Sequence, residues 1–290
     1  MTSSAKTDLH EALSVGQQEA LLTLLVDEDP AVYRLVRERI LACGLSGLEW
    51  LREHRLASDP RLRRRVCEIF SSLGREKADD DFLTFCVTQG EDFDIERAAW
   101  LLARTRFPEI NVDAYRAVLD AYAETLRERI RGVSPPREVL LTINRFLFET
   151  VGLEGNETDY YAPENSYLNL VLDRRTGNPI NVCLVYLVIA RRLQLPITGI
   201  GMPGHFVCRY QSSVEEIYID AFNAGRLLTK ADCVKYLLQS SYGFQEGLLA
   251  PASPRRILLR ICSNLHQTYL HLKLRDETAR IQRYIVALAS

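Results

Sequence analysis

The stretch Ile180 to Leu193 constrains this chain more than any other: fourteen residues without a glycine, a proline or an acidic group. It is rich in β-branched residues, yet it is too long for an ordinary strand. Pro179 cannot continue a regular element from before it, and Asn181 is a good N-cap. The pattern therefore predicts a helix that starts near Asn181 and ends at Arg191 and Arg192, where positive charge suits a helix C-terminus. A helix apolar on every face must be buried on every face, so this segment is the expected centre of a domain. Its longest apolar run, Val182 to Ala190, is nine residues, about half of what a bilayer span needs. Cys183 would then lie in the first turn, where free backbone N–H groups and the positive end of the dipole stabilise a thiolate. The alternative is that Cys183 packs as a small apolar residue, as free cysteines usually do.

The 290 residues suffice for one large domain or two ordinary ones, and 47% apolar with 26% charged is a soluble globular profile. Lys and Arg total 36 against 38 Asp and Glu, which leaves no electrostatic footprint for nucleic acid or an anionic membrane. The start, MTSSAKTDLH, lacks the apolar core of a secretory signal, and seven cysteines cannot all pair internally. The expectation is a soluble cytoplasmic protein with free thiols.

The first 131 residues read as helical. Asp29-Pro30 and Asp59-Pro60 each open an amphipathic stretch, thirty residues apart. Asp as N-cap with Pro at the first helical position is a good helix start. Helical pairs at this period are HEAT-like, and an irregular bundle is the equal alternative. Helices are expected over 95–104 and 112–130. The run Arg131 to Pro136, with two prolines and a glycine, marks the expected boundary with a second domain over 137–250. After it come a helix over 138–150, a polar loop over 152–163 and a short helix over 167–174. Residues 251–290 return to amphipathic helix. Alternation over His205–Tyr210 and Glu215–Asp220, with a polar hinge between, predicts an antiparallel hairpin. The whole is α+β, with a helical N-terminal domain before a core of helices on a small sheet.

In that hairpin His205, Val207 and Arg209 share one face, while Phe206, Cys208 and Tyr210 share the other. Cys208 therefore points away from His205, and Asp220 returns beside it. A carboxylate there can orient the imidazole and stabilise its charged form. Cys183, His205 and Asp220 would make a nucleophile, an acid/base and an orienting acid. Taken singly, His205 is equally a satisfied core histidine and Asp220 a turn residue.

These residues lie in a series of motifs: Asn144-Arg145-Phe146-Leu147-Phe148, Gly155-Asn156-Glu157-Thr158-Asp159-Tyr160-Tyr161, Asn165-Ser166-Tyr167-Leu168, Val171-Leu172-Asp173-Arg174-Arg175, Gly177-Asn178-Pro179-Ile180, Pro203-Gly204-His205-Phe206 and Ile219-Asp220-Ala221-Phe222. Their order over about residues 95–240 resembles the SirB1-type transglutaminase-like family. The resemblance implies a transglutaminase and papain-like core, in which a cysteine-bearing helix packs on a small antiparallel sheet carrying His and Asp. It implies Cys-His-Asp acyl transfer or amide hydrolysis on a peptide or amide substrate, or else a catalytically inactive binding module. Relatives commonly read Gly-Ile-Pro-Ile-Ser-Leu-Ser where this chain has Gly177 to Cys183, so Cys183 stands where serine is frequent. The N-terminal helices would serve as a protein-docking surface.

Other motifs carry less. Gly199-Ile200-Gly201-Met202-Pro203-Gly204 is a literal GxGxxG, but an alternating strand follows it rather than a helix, so dinucleotide binding is rejected. Its glycines are expected to let the chain turn before His205. His266 and His271, five apart on a helix, do not share a metal-binding face, and no paired-cysteine motif exists. No cofactor and no metal are expected. Asp79-Asp80-Asp81 reads as a solvated loop. Asp159 to Ser166, with Arg174 and Arg175, reads mainly as turn chemistry beside the site, with Asn165-Ser166 capping the helix after it.

Overall fold

The computed structural model describes residues 13–44, 46–239 and 243–290. Its described residues form two compact units. The first holds those up to Asp79 together with Phe107–Glu109, and the second holds Asp80–Arg106 and Ile110–Ser290.

In the first unit, α1 (Val15–Leu25) and α2 (Pro30–Leu41) precede a 3-10 segment (Ser46–Leu56) and the start of α3 (Pro60–Thr88). Asp29 caps α2 as expected, its carboxylate accepting from Ala31 N with Pro30 at the first helical position. Asp59 does the same for α3 through Arg61 N. Leu25, Ile40, Leu48, Leu51, Val66 and Ile69 are fully buried at the centre of this unit. Helix α3 contributes residues to both units. The acidic run Asp79–Asp81, expected as a loop, lies inside that helix, with Asp80 and Asp81 exposed. An exposed helical face accommodates a charge run as readily as a loop does.

The second unit continues with α4 (Ile95–Arg106), α5 (Val112–Ile130) and α6 (Pro136–Asn144), which passes into a π-helical turn (Arg145–Thr150). The link Arg131–Pro136, read from sequence as a domain boundary, joins α5 to α6 inside this unit. Strands β1 (Glu154–Gly155) and β2 (Thr176–Gly177) pair in parallel on either side of α7 (Leu168–Arg174). Then come α8 (Pro179–Arg192), strands β3 (Ile197–Met202), β4 (His205–Gln211), β5 (Glu216–Asp220) and β6 (Arg226–Leu228), and helices α9 (Lys230–Gln239), α10 (Pro254–His271) and α11 (Arg275–Ala289).

Strands β3 to β6 make an antiparallel meander in chain order. The hairpin β4–β5 is the one read from alternation, in the register Cys208↔Ile219 and Tyr210↔Ile217. Strand β3 was read as a glycine-bearing approach to His205. Of those glycines only Gly204 makes the turn: Pro203 and Gly204 join Met202 to His205, with Gly204 at φ +74°. Gly199 and Gly201 instead make room. A Cβ on Gly199 would sit 2.7 Å from Phe206 Cζ, and one on Gly201 would sit 3.4 Å from Arg260 Nη1.

Helix α8 is buried along nearly its whole length, as its sequence requires. Its start differs from the expectation. Asn178, not Asn181, is the N-cap, and its side chain accepts from Asn181 N at 3.1 Å. Pro179 takes the first helical position, the one place where its missing donor costs nothing. At the other end Arg192 donates to both carboxylate oxygens of Glu96, at 2.7 and 3.0 Å, and to Asp120 at 2.6 Å. Burial opposes the charge on Arg192, but these bonds outweigh it and raise its pKa. Among the described residues no helix is long and apolar enough to cross a membrane.

Candidate functional site

His205 opens β4 and Asp220 closes β5, so the hairpin that pairs the strands also joins the two side chains. His205 Nε2 lies 2.9 Å from Asp220 Oδ1. An ionised carboxylate only accepts, so Nε2 carries the proton and Nδ1 is left as the basic nitrogen. The turn after β5 tightens this arrangement. Asn223 donates its backbone N–H to Asp220 Oδ1 at 3.3 Å and its amide to Oδ2 at 2.8 Å. Burial pushes the Asp220 carboxyl up, but the bonds from His205 and Asn223 prevail and hold it below the ordinary aspartate value.

A cleft of about 520 Å³ opens on this pair, lined also by Glu157, Phe222, Asn223 and Tyr236. The His205 ring meets Phe222 edge-on at 6.1 Å and lies 5.9 Å from the Tyr236 ring. Tyr236 in turn donates its hydroxyl to Pro203 O at 3.1 Å, which ties α9 to the turn before His205. Sequence reasoning missed Asn223 and Tyr236. The first had a signal: an Asp followed three residues later by a short polar residue is an Asx-turn pattern. Tyr236 had none, because only the folding of α9 against the sheet brings it there.

Cys183 sits elsewhere. With Asn178 as the cap, it is the fifth helical residue of α8 and not in the first turn, past the free N–H groups that would stabilise a thiolate. Its side chain is 0% exposed, and its thiol donates to Phe206 O at 3.4 Å. Beside it the Cys208 thiol reaches Cys183 O at 3.7 Å. Burial pushes Cys208 well above its ordinary pKa, with Cys183 and Asp220 adding to the shift. The structure thus brings His205 and Asp220 together in a cleft and places Cys183 behind β4, hydrogen-bonded to the residue next to His205. Cys233 of α9 does line the cleft. Its thiol is pushed up to about 12, first by burial and then by Asp232, Asp220 and Glu216. All seven cysteines are free. Among the described residues no cluster of His, Cys, Asp and Glu is arranged to hold a metal ion.

The polar loop before α8 is structural in its main contacts. Asn165 donates to Asp159 O at 2.8 Å and accepts from Asn156 at 3.0 Å, while Ser166 accepts from Asn178 at 3.1 Å. Neither caps α7, whose N-cap is Tyr167 with no side-chain bond.

The site thus rests on a four-stranded antiparallel meander packed against a buried helix, with His205 and Asp220 paired at one end of the hairpin. The family model described as the transglutaminase-like superfamily matches residues 113–263, and the chain belongs to that superfamily. Among curated proteins it is 34% identical to a UPF0162 protein of Xylella fastidiosa over 205 residues, 68% of this chain and 73% of that one. F-box only protein 21 of Mus musculus is 36% identical over 136 residues, 44% of this chain but 21% of its own length. A UPF0162 protein of Pseudomonas aeruginosa is 36% identical over 110 residues, 37% of this chain and 40% of that one. No solved structure matches.

Proposed function

We propose that the chain is a transglutaminase-like binding module of the SirB1 type, whose His205–Asp220 cleft receives a peptide or an amide. The observation that supports this reading is the Cys183 thiol: fully enclosed, with its proton directed at the Phe206 carbonyl rather than at the imidazole. A nucleophile must reach its base and its substrate, and a thiol in that setting is a packing group. The cleft itself offers a hydrogen-bonding imidazole beside aromatic walls, the composition of a ligand site. The helices of the first unit act as a docking surface for a protein partner. The free thiols fit a reducing, cytoplasmic setting.

One observation favours a second reading, a Cys-His-Asp acyl transferase or amidase. Asp220 engages Nε2 and leaves Nδ1 basic, which is the polarity a general base requires. In that reading Cys183 Sγ attacks an amide carbonyl and Nδ1 takes the thiol proton. The imidazolium returns the proton to the departing amine, and water or a second amine then releases the acyl group. Alkylation with iodoacetamide between about pH 6 and 9 separates the two readings. The binding module predicts that exposed Cys67 reacts first and that Cys183 reacts only on unfolding. Selective modification of Cys183 at pH 6, abolished by His205→Ala, would establish the enzyme instead. Binding is followed separately, by the shift of the His205 imidazole resonances on titration with N-acetylglutaminamide. The shift should saturate in the wild type and vanish in Tyr236→Ala.

A further inference from the structure

Helix α4 contributes Arg97 and Arg104 to a second cavity of the same unit, about 390 Å³ in volume, which shares no lining residue with the His205–Asp220 cleft. Seven residues is close to two helical turns, so both side chains leave one face of α4, about 10 Å apart along its axis. Arg116 lines the cavity from α5, together with that helix's first residues, Val112 and Asp113.

Three cations in one cavity repel one another unless acids stand between them or an anion comes from outside. Here the nearby acids are committed elsewhere or turned to solvent. Glu96 gives its two carboxylate oxygens to Arg192, at 2.7 and 3.0 Å, and comes only within 4.0 Å of Arg116. Asp113 lies 3.9 Å from Arg116, with a side chain 95% exposed, where water screens the pair. Arg97 lies over the Phe85 ring at 5.6 Å. The guanidinium groups of Arg97 and Arg104 have no hydrogen bond or ion pair among the described residues. Other arginines of this unit do find acids: Arg106 pairs with Glu277, and Arg191 with Asp94.

The cavity lining thus carries three positive charges against one negative, a surplus of two. That surplus sets the charge of the ligand. A carboxylate brings one charge, whereas a phosphate monoester brings nearly two at neutral pH, with enough oxygens for several guanidinium forks. The positive end of the α5 dipole adds to the same field. Leu101, Ile110 and Val112 form an apolar wall beside the arginines, which suits an apolar group esterified to the phosphate.

We propose that this cavity binds a small phosphate monoester with an apolar or aromatic body, held by Arg97, Arg104 and Arg116. The test is calorimetric titration of the full chain with phenyl phosphate at constant ionic strength. Wild type should saturate with phenyl phosphate and bind benzoate, which has the same ring and half the charge, about tenfold more weakly. Arg104→Gln and Arg116→Gln should each weaken phenyl phosphate about tenfold, and Arg104→Lys less. Arg104 is exposed, so its replacement should leave the Tm without ligand unchanged, and the lost affinity then reports a lost contact. Arg64→Gln, in the first unit, should change nothing. Lowering the pH from about 7 to about 5 should weaken phenyl phosphate, which takes up its second proton near pH 6, and affect benzoate little. Absence of saturable binding, equal affinity for benzoate, undiminished binding in Arg104→Gln and Arg116→Gln, or a loss in Arg64→Gln equal to theirs would overturn the assignment. An alanine-flanked phosphotyrosine pentapeptide that bound more than about tenfold tighter than phenyl phosphate would show contacts along a chain outside the cavity, and would overturn the small-molecule reading.

Discussion

Asp220 carries two loads at the scale of single residues, because the same carboxylate orients His205 and closes the turn through Asn223. Its folded-state pKa lies below its unfolded value, so its contribution to stability is complete above about pH 4 and is lost as pH falls through the folded value. Acid titration of the unfolding free energy should therefore show a decline below about pH 4 that is shallower in Asp220→Asn. The same variant should lose about 1–3 kcal/mol at neutral pH, since it gives up charge-assisted bonds inside a buried site. A change below about 0.5 kcal/mol would mean that the pair is not held as described.

Two kinds of element were read unequally from the sequence. The hairpin β4–β5 was legible because its alternation is clean and its two faces meet different surroundings: Val207 joins Tyr218 and Cys233 in one core cluster, while Cys208 turns to α8. Alternation also placed Asp220 beside His205. Strand β3 was not legible, because Gly199 and Gly201 read as turn residues, and their reason for being glycine lies in Phe206 and Arg260, distant in sequence. Strand β6, three residues long, carries too short a pattern to be seen. The start of α8 was misplaced by one turn because Pro179 was read as a break, although Asn178-Pro179 repeats the cap-then-proline start of Asp29-Pro30 and Asp59-Pro60. That displacement moved Cys183 from the first turn to the second, and with it the basis for a thiolate. The glycine argument is testable by contrast. Gly199→Ala would set a Cβ 2.7 Å from the Phe206 ring and should cost about 1–3 kcal/mol. Gly201→Ala, at 3.4 Å from a mobile guanidinium, should cost less in the same urea titration.

Across the whole second unit, one side chain joins segments from three parts of the chain. Arg255, at the start of α10, donates to Cys86 O and Gln89 O at the end of α3, and to Ala287 O and Leu288 O at the end of α11. Positive charge and hydrogen bonds both suit helix C-termini. Arg255→Ala should lower stability by about 2–4 kcal/mol, and Arg255→Lys should recover little, because a point charge cannot serve four acceptors in a plane. Equal stability of wild type and Arg255→Lys in chemical denaturation would contradict this. The clamp also bears on where the domain ends. Residues 113–263 are the part recognised as the superfamily, yet all four carbonyl partners of Arg255 lie outside that span, as does Glu96, which anchors α8. Phe82 and Tyr284 meet edge-on at 4.8 Å, again from opposite flanks. The familiar segment is thus only the middle of a folding unit, and a chain trimmed to it would carry the cleft without the flanking helices that Arg255 ties together.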